Sequence, residues 1–183
     1  MTLPSARPSG FTLIELLLVM AIIAILASLV TPGIQRAVEK SRSVACAGNL
    51  RSIGVAVQGY LQDNDNIFPE IEPYPSNPVY TGEKKVGGML DILGPYGVAE
   101  KTLQCPADLR GANNYAKEKS SYMWNPIADG ENQNAVTIYG RRVHLLKRIS
   151  RLSLCSDFTS QSGVGPHLGK INTLYADGHV KVR

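Results

Sequence analysis

Four residues near the C-terminus have the types that bind metal ions: Asp157, His167, Asp177 and His179. Imidazole nitrogens combined with carboxylates suit zinc or manganese, whereas oxygen ligands alone suit calcium. A divalent cation is therefore the one cofactor that these residues suggest. The favoured interpretation is nevertheless structural, because Asp177 is also a turn former, His179 a strand residue and His167 a loop residue that can bond the backbone. We therefore expect no bound cofactor, with a divalent cation as the alternative.

Motifs for catalysis are missing from the sequence. It contains no His-Glu-x-x-His pair, no Gly-x-Ser-x-Gly nucleophile elbow and no glycine-rich phosphate loop ahead of a helix. The glycines of 163–169 lack the Gly-x-Gly-x-x-Gly spacing. We therefore expect that the protein is not an enzyme.

The three cysteines, Cys46, Cys105 and Cys155, are too few for a disulfide framework and lack the Cys-x-x-Cys spacing of a zinc site. Outside the cytoplasm, one disulfide and one odd thiol are the expected use. The spacing does not determine which two cysteines pair, and among the three pairings we favour Cys46 with Cys105.

The charge of the chain gives little support to a nucleic-acid partner. The formal net charge is only +4, with 44% hydrophobic and 19% charged residues. Basic residues cluster in 140–151, GRRVHLLKRISR, but apolar residues alternate with them. A strand pair with a solvated basic face is the favoured interpretation, and DNA binding by this stretch is the alternative.

An apolar run from Phe11 to Val30 holds a single carboxylate, Glu15. Twenty helical residues span about 30 Å, the thickness of a bilayer's hydrocarbon core. A cleaved secretory signal would need a small-x-small site after the run, and no Ala-x-Ala occurs there. The small residues Ser9 and Gly10 come before the run instead. A cut after Gly10 would leave the membrane segment attached.

Cleavage after Gly10 would also explain the carboxylate. An ionised side chain in a bilayer is costly and usually has a partner. The new amine of Phe11 would lie one helical turn from Glu15, and the helix dipole favours an acid there. The pair could close within one chain or between neighbours, where it would set the axial stagger of packed helices.

Residues 10–16, G-F-T-L-I-E-L, with the apolar run and Pro32, resemble the N-terminus of type IV prepilins and type II secretion pseudopilins. The resemblance implies cleavage by a prepilin peptidase after Gly10, N-methylation of Phe11, subunit registration through Glu15 and a helix kink at Pro32. It also implies calcium as a reasonable ion, since major pseudopilins bind it in C-terminal loops.

The same resemblance implies the partners and the location. The partners are other pilin or pseudopilin subunits, the secretion platform of the inner membrane, and lipid. The protein is expected to cross the bacterial inner membrane once, with its N-terminus cytoplasmic before processing and its head periplasmic or extracellular. The expected function is a structural subunit of a pseudopilus. The alternatives are a type IV or competence pilin with a DNA- or surface-binding head, and a membrane-anchored metal-binding protein.

These features predict an α+β fold with four segments: a leader over 1–10, a transmembrane helix over 11–32, an amphipathic stem helix over 33–63 and a globular head over 64–183. The stem prediction depends on apolar residues at three- to four-residue steps, and DNDN at 63–66 should end the helix. The predicted buried stripe consists of Ile34, Val38, Ala45, Leu50, Ile53, Val57 and Leu61.

Strands are predicted in the second half of the head, after a loop over 67–88, a short helix over 88–93 and a loop over 104–114. They fall in 135–140, 143–149 and 151–157, and in a hairpin around Asp177-Gly178 of type I′. That turn predicts two faces, one of which packs on the long helix. One face consists of Thr173, Tyr175, Val180 and Val182, and the opposite face consists of Leu174, Ala176, His179 and Lys181.

Several motifs of the head are similar to those of prepilin-like proteins with a C-terminal H-x9-DG motif. They are C-A-G-N-L-R-S-I-G at 46–54, C-P-A-D at 105–108, S-Y-M-W-N at 121–125, and His167 followed after nine residues by Asp177-Gly178. This resemblance implies an architecture rather than an activity.

Overall fold

The computed structural model describes residues 11–77, 86–108, 114–134, 137–138, 141–142, 149–159, 165–167 and 169–183. The chain divides into two compact units, Met1–Val38 and Glu39–Arg183. The predicted leader, 1–10, lies outside the described residues, as does most of the predicted strand at 143–149.

Helix α1 spans Leu13–Asp63 and begins with the apolar run. An 18-residue window of it has a mean hydropathy of 2.9, and none of that window is buried, so by length and composition this helix could cross a membrane. The hydroxyls of Ser28 and Thr31 donate to the carbonyls of Ile25 and Ala27, each at 2.7 Å. These bonds satisfy polar groups within the helix, as an apolar solvent requires.

Pro32 lies inside α1, and the helix continues through it. The predicted kink at this residue stays a prediction.

The second half of α1 buries one face in the head. Cys46, Leu50, Ile53, Val57 and Leu61 are each at most 1% exposed and recur at three- to four-residue steps, so the stripe predicted from Leu50 onward is confirmed.

The first three members of the predicted stripe were wrong. Ile34 and Val38 are 56% and 43% exposed, and Ala45 is also exposed. Cys46 is buried in place of Ala45. Neighbouring residues of a helix point about 100° apart, so Cys46 faces the head and Ala45 does not.

The helix ends at Asp63, as the DNDN sequence predicted. Asp65 and Asn66 have φ values of 53° and 59°, a left-handed conformation that Asn and Asp tolerate better than most residues. The N–H of Asn66 donates to the carbonyl of Leu61 at 2.9 Å and so closes the helix end.

Short helices connect α1 to the sheet. The helix expected over 88–93 is present as α2, Met89–Leu93. Helix α3, Asn114–Glu118, was not expected. Single 3-10 turns cover Gly94–Tyr96, Glu100–Leu103, Pro126–Ala128 and Ile149–Arg151.

A four-stranded antiparallel sheet has the order β1-β4-β5-β6. Its strands are β1, Tyr122–Trp124; β4, Ser153–Asp157; β5, Asn172–Tyr175; and β6, Val180–Val182. A second pair joins β2, Thr137–Ile138, to β3, Arg141–Arg142. The strands expected in 135–140 and 151–157 are thus present, whereas Ile149 starts a 3-10 turn.

The C-terminal hairpin exists, but its turn is not type I′. Gly178 has a φ of 85°, while Asp177 is not among the residues with positive φ that a type I′ turn needs at both positions. Bonds from Gly178 N to Tyr175 O and from Tyr175 N to His179 O close a three-residue loop instead. This is a type I turn followed by a left-handed glycine.

The extra loop residue makes the predicted faces of β6 wrong. Thr173 lies opposite Lys181 and Leu174 opposite Val180, so Val180 and Val182 share the face of Leu174 rather than that of Thr173. A register shift of one residue moves every side chain of a strand to the other face.

The face of β5 that carries Leu174 packs on α1, as one face was expected to do. Leu174 is fully buried, and its Cδ1 would lie 2.9 Å from a Cβ placed on Gly54. The helix and sheet approach closely here because residue 54 has no side chain. The fold is α+β, as the sequence predicted.

Candidate functional site

The first candidate site is the N-terminal turn of α1. Thr12 donates to Oε2 of Glu15 from its backbone N–H at 2.8 Å and from its hydroxyl at 2.6 Å, and the N–H of Glu15 lies 3.4 Å from the same hydroxyl oxygen. This is a capping box, in which two side chains satisfy each other's free backbone N–H groups. The carboxylate of Glu15 is thereby held at the helix end, beside Phe11, whose side chain is 80% exposed.

The capping box was missed in the sequence. Its signal, Thr-x-x-Glu ahead of an apolar run, was present at residues 12–15. From the sequence, Glu15 was explained by the amine of Phe11 and the helix dipole instead. Gly10, the expected cleavage residue, lies outside the described residues.

The four residues predicted to bind a metal lie in two places. Nε2 of His167 is 3.3 Å from Oδ2 of Asp157, and both residues are buried. Asp177 and His179 form a separate pair at the hairpin turn, with Nδ1 and Oδ1 2.5 Å apart, and His179 is exposed. Asp157 lies at the Asn172 end of β5, whereas the turn follows Tyr175. The four side chains therefore do not form one site.

The buried pair adjoins a disulfide. Cys46 of α1 is bonded to Cys105, the pairing that the sequence favoured, with their Cα atoms 5.1 Å apart. Sγ of Cys105 lies 3.6 Å from Nε2 of His167. The third cysteine, Cys155, is free and buried. Burial raises the pKa of its thiol, chiefly through desolvation, so it stays protonated and unreactive at neutral pH.

Carboxylates lie on both sides of the His167 ring. Oε1 of Glu39, on α1, is 3.9 Å from Nδ1, and Asp157 is on the Nε2 side. Asp157 in turn accepts a hydrogen bond from the backbone N–H of Asn172 at 2.7 Å. The side chain of Asn172 contacts Ser43 of α1. These contacts fix the start of β5 to the long helix.

The backbone of the turn before β5 positions His167. His167 and Lys170 exchange backbone hydrogen bonds at 3.4 and 3.0 Å. A Cβ on Gly165 would collide with the backbone of Lys170, so only glycine fits there. Gly169 has a φ of 83°, which also favours glycine. The glycines on either side of His167 are therefore needed for the turn.

The other head motifs meet at the same disulfide. Nδ2 of Asn49 donates to the carbonyl of Gln104 and to the hydroxyl of Tyr122, both at 3.0 Å. The hydroxyl of Tyr122 lies 3.4 Å from the carbonyl of Cys46. Burial raises the pKa of Tyr122, so the phenol stays neutral.

Asp108 explains the last residue of the C-P-A-D motif. This buried carboxylate accepts hydrogen bonds from the backbone N–H groups of Asn114 and Tyr115, at 3.1 and 2.8 Å, and from the hydroxyl of Ser121 at 2.8 Å. It caps α3 and links that helix to the residue before β1. Asp108 lies six residues before Asn114, which is farther than the spacing of a local helix cap, so no local sequence pattern indicates this contact.

Comparisons with known proteins agree with the N-terminal site. Residues 6–31 match the model of the family described as prokaryotic N-terminal methylation motif. Over 58 residues the chain is 38% identical to the type II secretion system core protein G of Pseudomonas aeruginosa, a match that covers 32% of this chain and 41% of that protein. The chain is thus similar to proteins with this N-terminal motif and to a type II secretion core protein. No solved structure matches it.

The matches leave most of the head unassigned. The chain spans less than half the length of the relative it matches, and the family model stops at residue 31. The cluster around Cys46, Cys105, Asp157 and His167 lies beyond that model. The basic stretch of 140–151 lies mostly outside the described residues, so DNA binding there stays a prediction.

Proposed function

We propose that this chain is a structural subunit of a pseudopilus-type fibre of the type II secretion class. It is made with a leader, inserted in the bacterial inner membrane, cut after Gly10 by a prepilin peptidase and methylated at Phe11. Its partners are other pilin or pseudopilin subunits, the inner-membrane platform and lipid, and it has no catalytic activity. The head is on the far side of the membrane from the peptidase.

One observation carries the proposal: α1 presents a fully exposed apolar segment whose only acid sits in its first turn. Exposed apolar surface of this length is stable in lipid or against other helices. A continuous apolar helix can move from lipid into contact with other helices without breaking its backbone hydrogen bonds. That property suits a subunit that leaves the membrane to enter a helical bundle.

The capping box suggests how Glu15 acts before and after processing. Before cleavage, Thr12 satisfies the carboxylate within the chain. Cleavage would create a cationic amine on Phe11, four residues, or about one helical turn, before Glu15. In the fibre, the carboxylate would pair with this amine on the same subunit or on its neighbour, and apolar surroundings would penalise any stagger that separates them.

Processing is tested by the intact mass of the full chain extracted from its native membrane. The expected mass lacks residues 1–10 and includes one added methyl group. An uncut chain, or a chain cut within or after the apolar run, would contradict the proposal.

Assembly is tested with two variants that separate charge from capping. Glu15→Gln keeps an oxygen that can accept from Thr12 but removes the charge, whereas Thr12→Val removes the hydroxyl and keeps the charge. We expect Glu15→Gln to be processed but to abolish fibre formation, and Thr12→Val to assemble. Fibres sheared from cells and quantified by immunoblot are the measurement, with intact mass as the control for insertion and cutting. Equal assembly of both variants would contradict registration by charge.

A further inference from the structure

The disulfide, His167 and Asp157 together have the composition of a metal site that neither the fold nor the comparisons assign. The four side chains come from α1, the loop after Leu103, the end of β4 and the turn before β5, and each is at most 3% exposed. The candidate ligand atoms of Cys46, Cys105 and His167 all lie within 4.8 Å of one another. We propose that the dithiol form of this chain binds one Zn²⁺ ion through Cys46, Cys105, His167 and Asp157.

Two of the distances among the four ligands match the edges of a tetrahedral zinc site. With bonds of about 2.3 Å to sulfur and about 2.0–2.1 Å to nitrogen or oxygen, the ligand atoms of a tetrahedral site lie about 3.6 Å apart for sulfur and nitrogen and about 3.3 Å apart for nitrogen and oxygen. Sγ of Cys105 is 3.6 Å from Nε2 of His167, and Nε2 is 3.3 Å from Oδ2 of Asp157. Two edges of the tetrahedron are therefore in place. The others require reduction to separate the two sulfur atoms, and the Asp157 carboxylate, which is outside the 4.8 Å group of the other three ligands, to move toward them.

The surrounding groups fit a zinc-bound histidine. A ligating imidazole generally directs its other nitrogen toward a carboxylate, which fixes the ring and raises its basicity. Nδ1 of His167 is buried and has no hydrogen-bond partner among the described residues, and Oε1 of Glu39 is 3.9 Å from it. The carboxylate of Asp157 is likewise oriented, by the N–H of Asn172, and its Oδ1 atom is buried without a hydrogen-bond partner in the described chain.

The oxidation state of the cysteines controls the site. In the disulfide each sulfur is bonded to the other and neither is a thiolate, so only the dithiol form can bind zinc. A newly made chain holds both cysteines as thiols, and zinc binding releases their two protons to water. The ion would then join the same two segments, α1 and the loop of Cys105, that the disulfide joins later.

The experiment uses the full chain in detergent micelles, oxidised or reduced under argon with a water-soluble trialkylphosphine that is then removed. The phosphine breaks the S–S bond, takes an oxygen atom from water to become its oxide, and leaves two protonated thiols. Zinc affinity is measured by competition with a chromophoric chelator. Titration with Co²⁺ reports the ligands through the visible bands of a tetrahedral ion and the thiolate-to-cobalt charge-transfer band.

We expect the reduced chain to bind one Zn²⁺ per chain and the oxidised chain none. Glu39→Gln, which removes an outer partner of the ligand, should weaken zinc binding by about 10- to 100-fold. His167→Gln and Asp157→Asn each remove a ligand and should weaken zinc binding by more than that. The matched controls His179→Gln and Asp177→Asn change the same residue types outside the cluster and should bind as the parent chain does. Cys155→Ser should also bind normally.

The fluorescence of Trp124, the single tryptophan, shows whether each variant is folded. If His167→Gln fails to fold, His167→Cys keeps a zinc ligand at that position; it should still bind Zn²⁺, and with Co²⁺ it should give a stronger thiolate-to-cobalt charge-transfer band. The proposal is overturned if the reduced chain binds no Zn²⁺, if the oxidised chain binds equally well, or if folded His167→Gln binds as tightly as the parent. Binding by His167→Cys without a stronger charge-transfer band would also overturn it.

Discussion

Reduction of the Cys46–Cys105 bond should destabilise the head by an amount that follows from the length of the loop it closes. The two cysteines are 59 residues apart in sequence. In the chain-entropy model, opening a loop of this length returns about 14 cal/mol/K to the unfolded chain, or about 4 kcal/mol at 25 °C. Reduction is preferable to substitution as the perturbation, because both sulfur atoms are buried and replacing them would also remove packing.

Urea unfolding of the full chain in non-ionic detergent measures this difference. Trp124 is 1% exposed and lies in β1, so its fluorescence follows the head rather than the apolar half of α1. With a slope of about 2 kcal/mol per molar urea, a loss of about 4 kcal/mol lowers the midpoint by about 2 M. A chelator present throughout keeps metal ions from replacing the bond.

The control is a double variant, Cys46→Ala with Cys105→Ala, whose midpoint should not respond to the reductant. Its remaining thiol, Cys155, is free in either condition. If reduction of the parent chain moves the midpoint by less than about 0.5 M, the bond contributes about 1 kcal/mol or less, and the reasoning from loop length is refuted.

Three further changes have expected outcomes. Leu174→Ala should lower the free energy of unfolding by about 2–5 kcal/mol in urea titrations, because Leu174 is fully buried against α1; a loss below about 1 kcal/mol would mean that the sheet does not pack there. Burial raises the pKa of Tyr122 above its ordinary 10.0 and that of Cys155 above its ordinary 9.0. The contribution of these two groups to the free energy of unfolding is therefore complete below those values and is lost as the pH rises through the folded-state pKa values. The double variant Tyr122→Phe with Cys155→Ala should flatten the alkaline fall in the urea midpoint, and an unchanged fall would contradict this. Gly178→Val should lower the thermal midpoint more than Gly178→Asn, because Asn tolerates a φ near 85° better than a β-branched residue does; equal losses would contradict the turn.

Local patterns were sufficient for the long helix, the terminal hairpin and the fold class, but they missed helix α3 and strand β1. The apolar run, the stripe from Leu50 to Leu61 and the DNDN terminator each specify local backbone structure, and the structure has the helix where they indicate. The hairpin was likewise predicted from a local pattern. Its register was not, because it depends on whether Asp177 adopts positive φ, and Asp tolerates both signs.

The candidate sites needed contacts between distant residues. Glu39, Cys105, Asp157 and His167 are brought together by the antiparallel pairing of β4 with β5 and by the packing of β5 on α1. Composition pointed to His167 and Asp157, but it also included the pair at the turn, since residue type alone cannot separate a buried cluster from an exposed one.

The H-x9-DG spacing follows from the dimensions of one strand. After His167, a tight turn closes at Lys170, and Ile171 exchanges backbone hydrogen bonds with Arg183 at 2.8 Å each before β5 begins. Strand β5 then runs for four residues to the loop that holds Asp177-Gly178. Because side chains alternate along a strand, a spacing longer or shorter by one residue would place either the buried imidazole or the turn on the wrong face. The nine residues between His167 and Asp177 thus join two local requirements, a histidine beside the disulfide and a glycine at the turn, through one strand packed on the long helix. This arrangement explains why its two ends need not share a site.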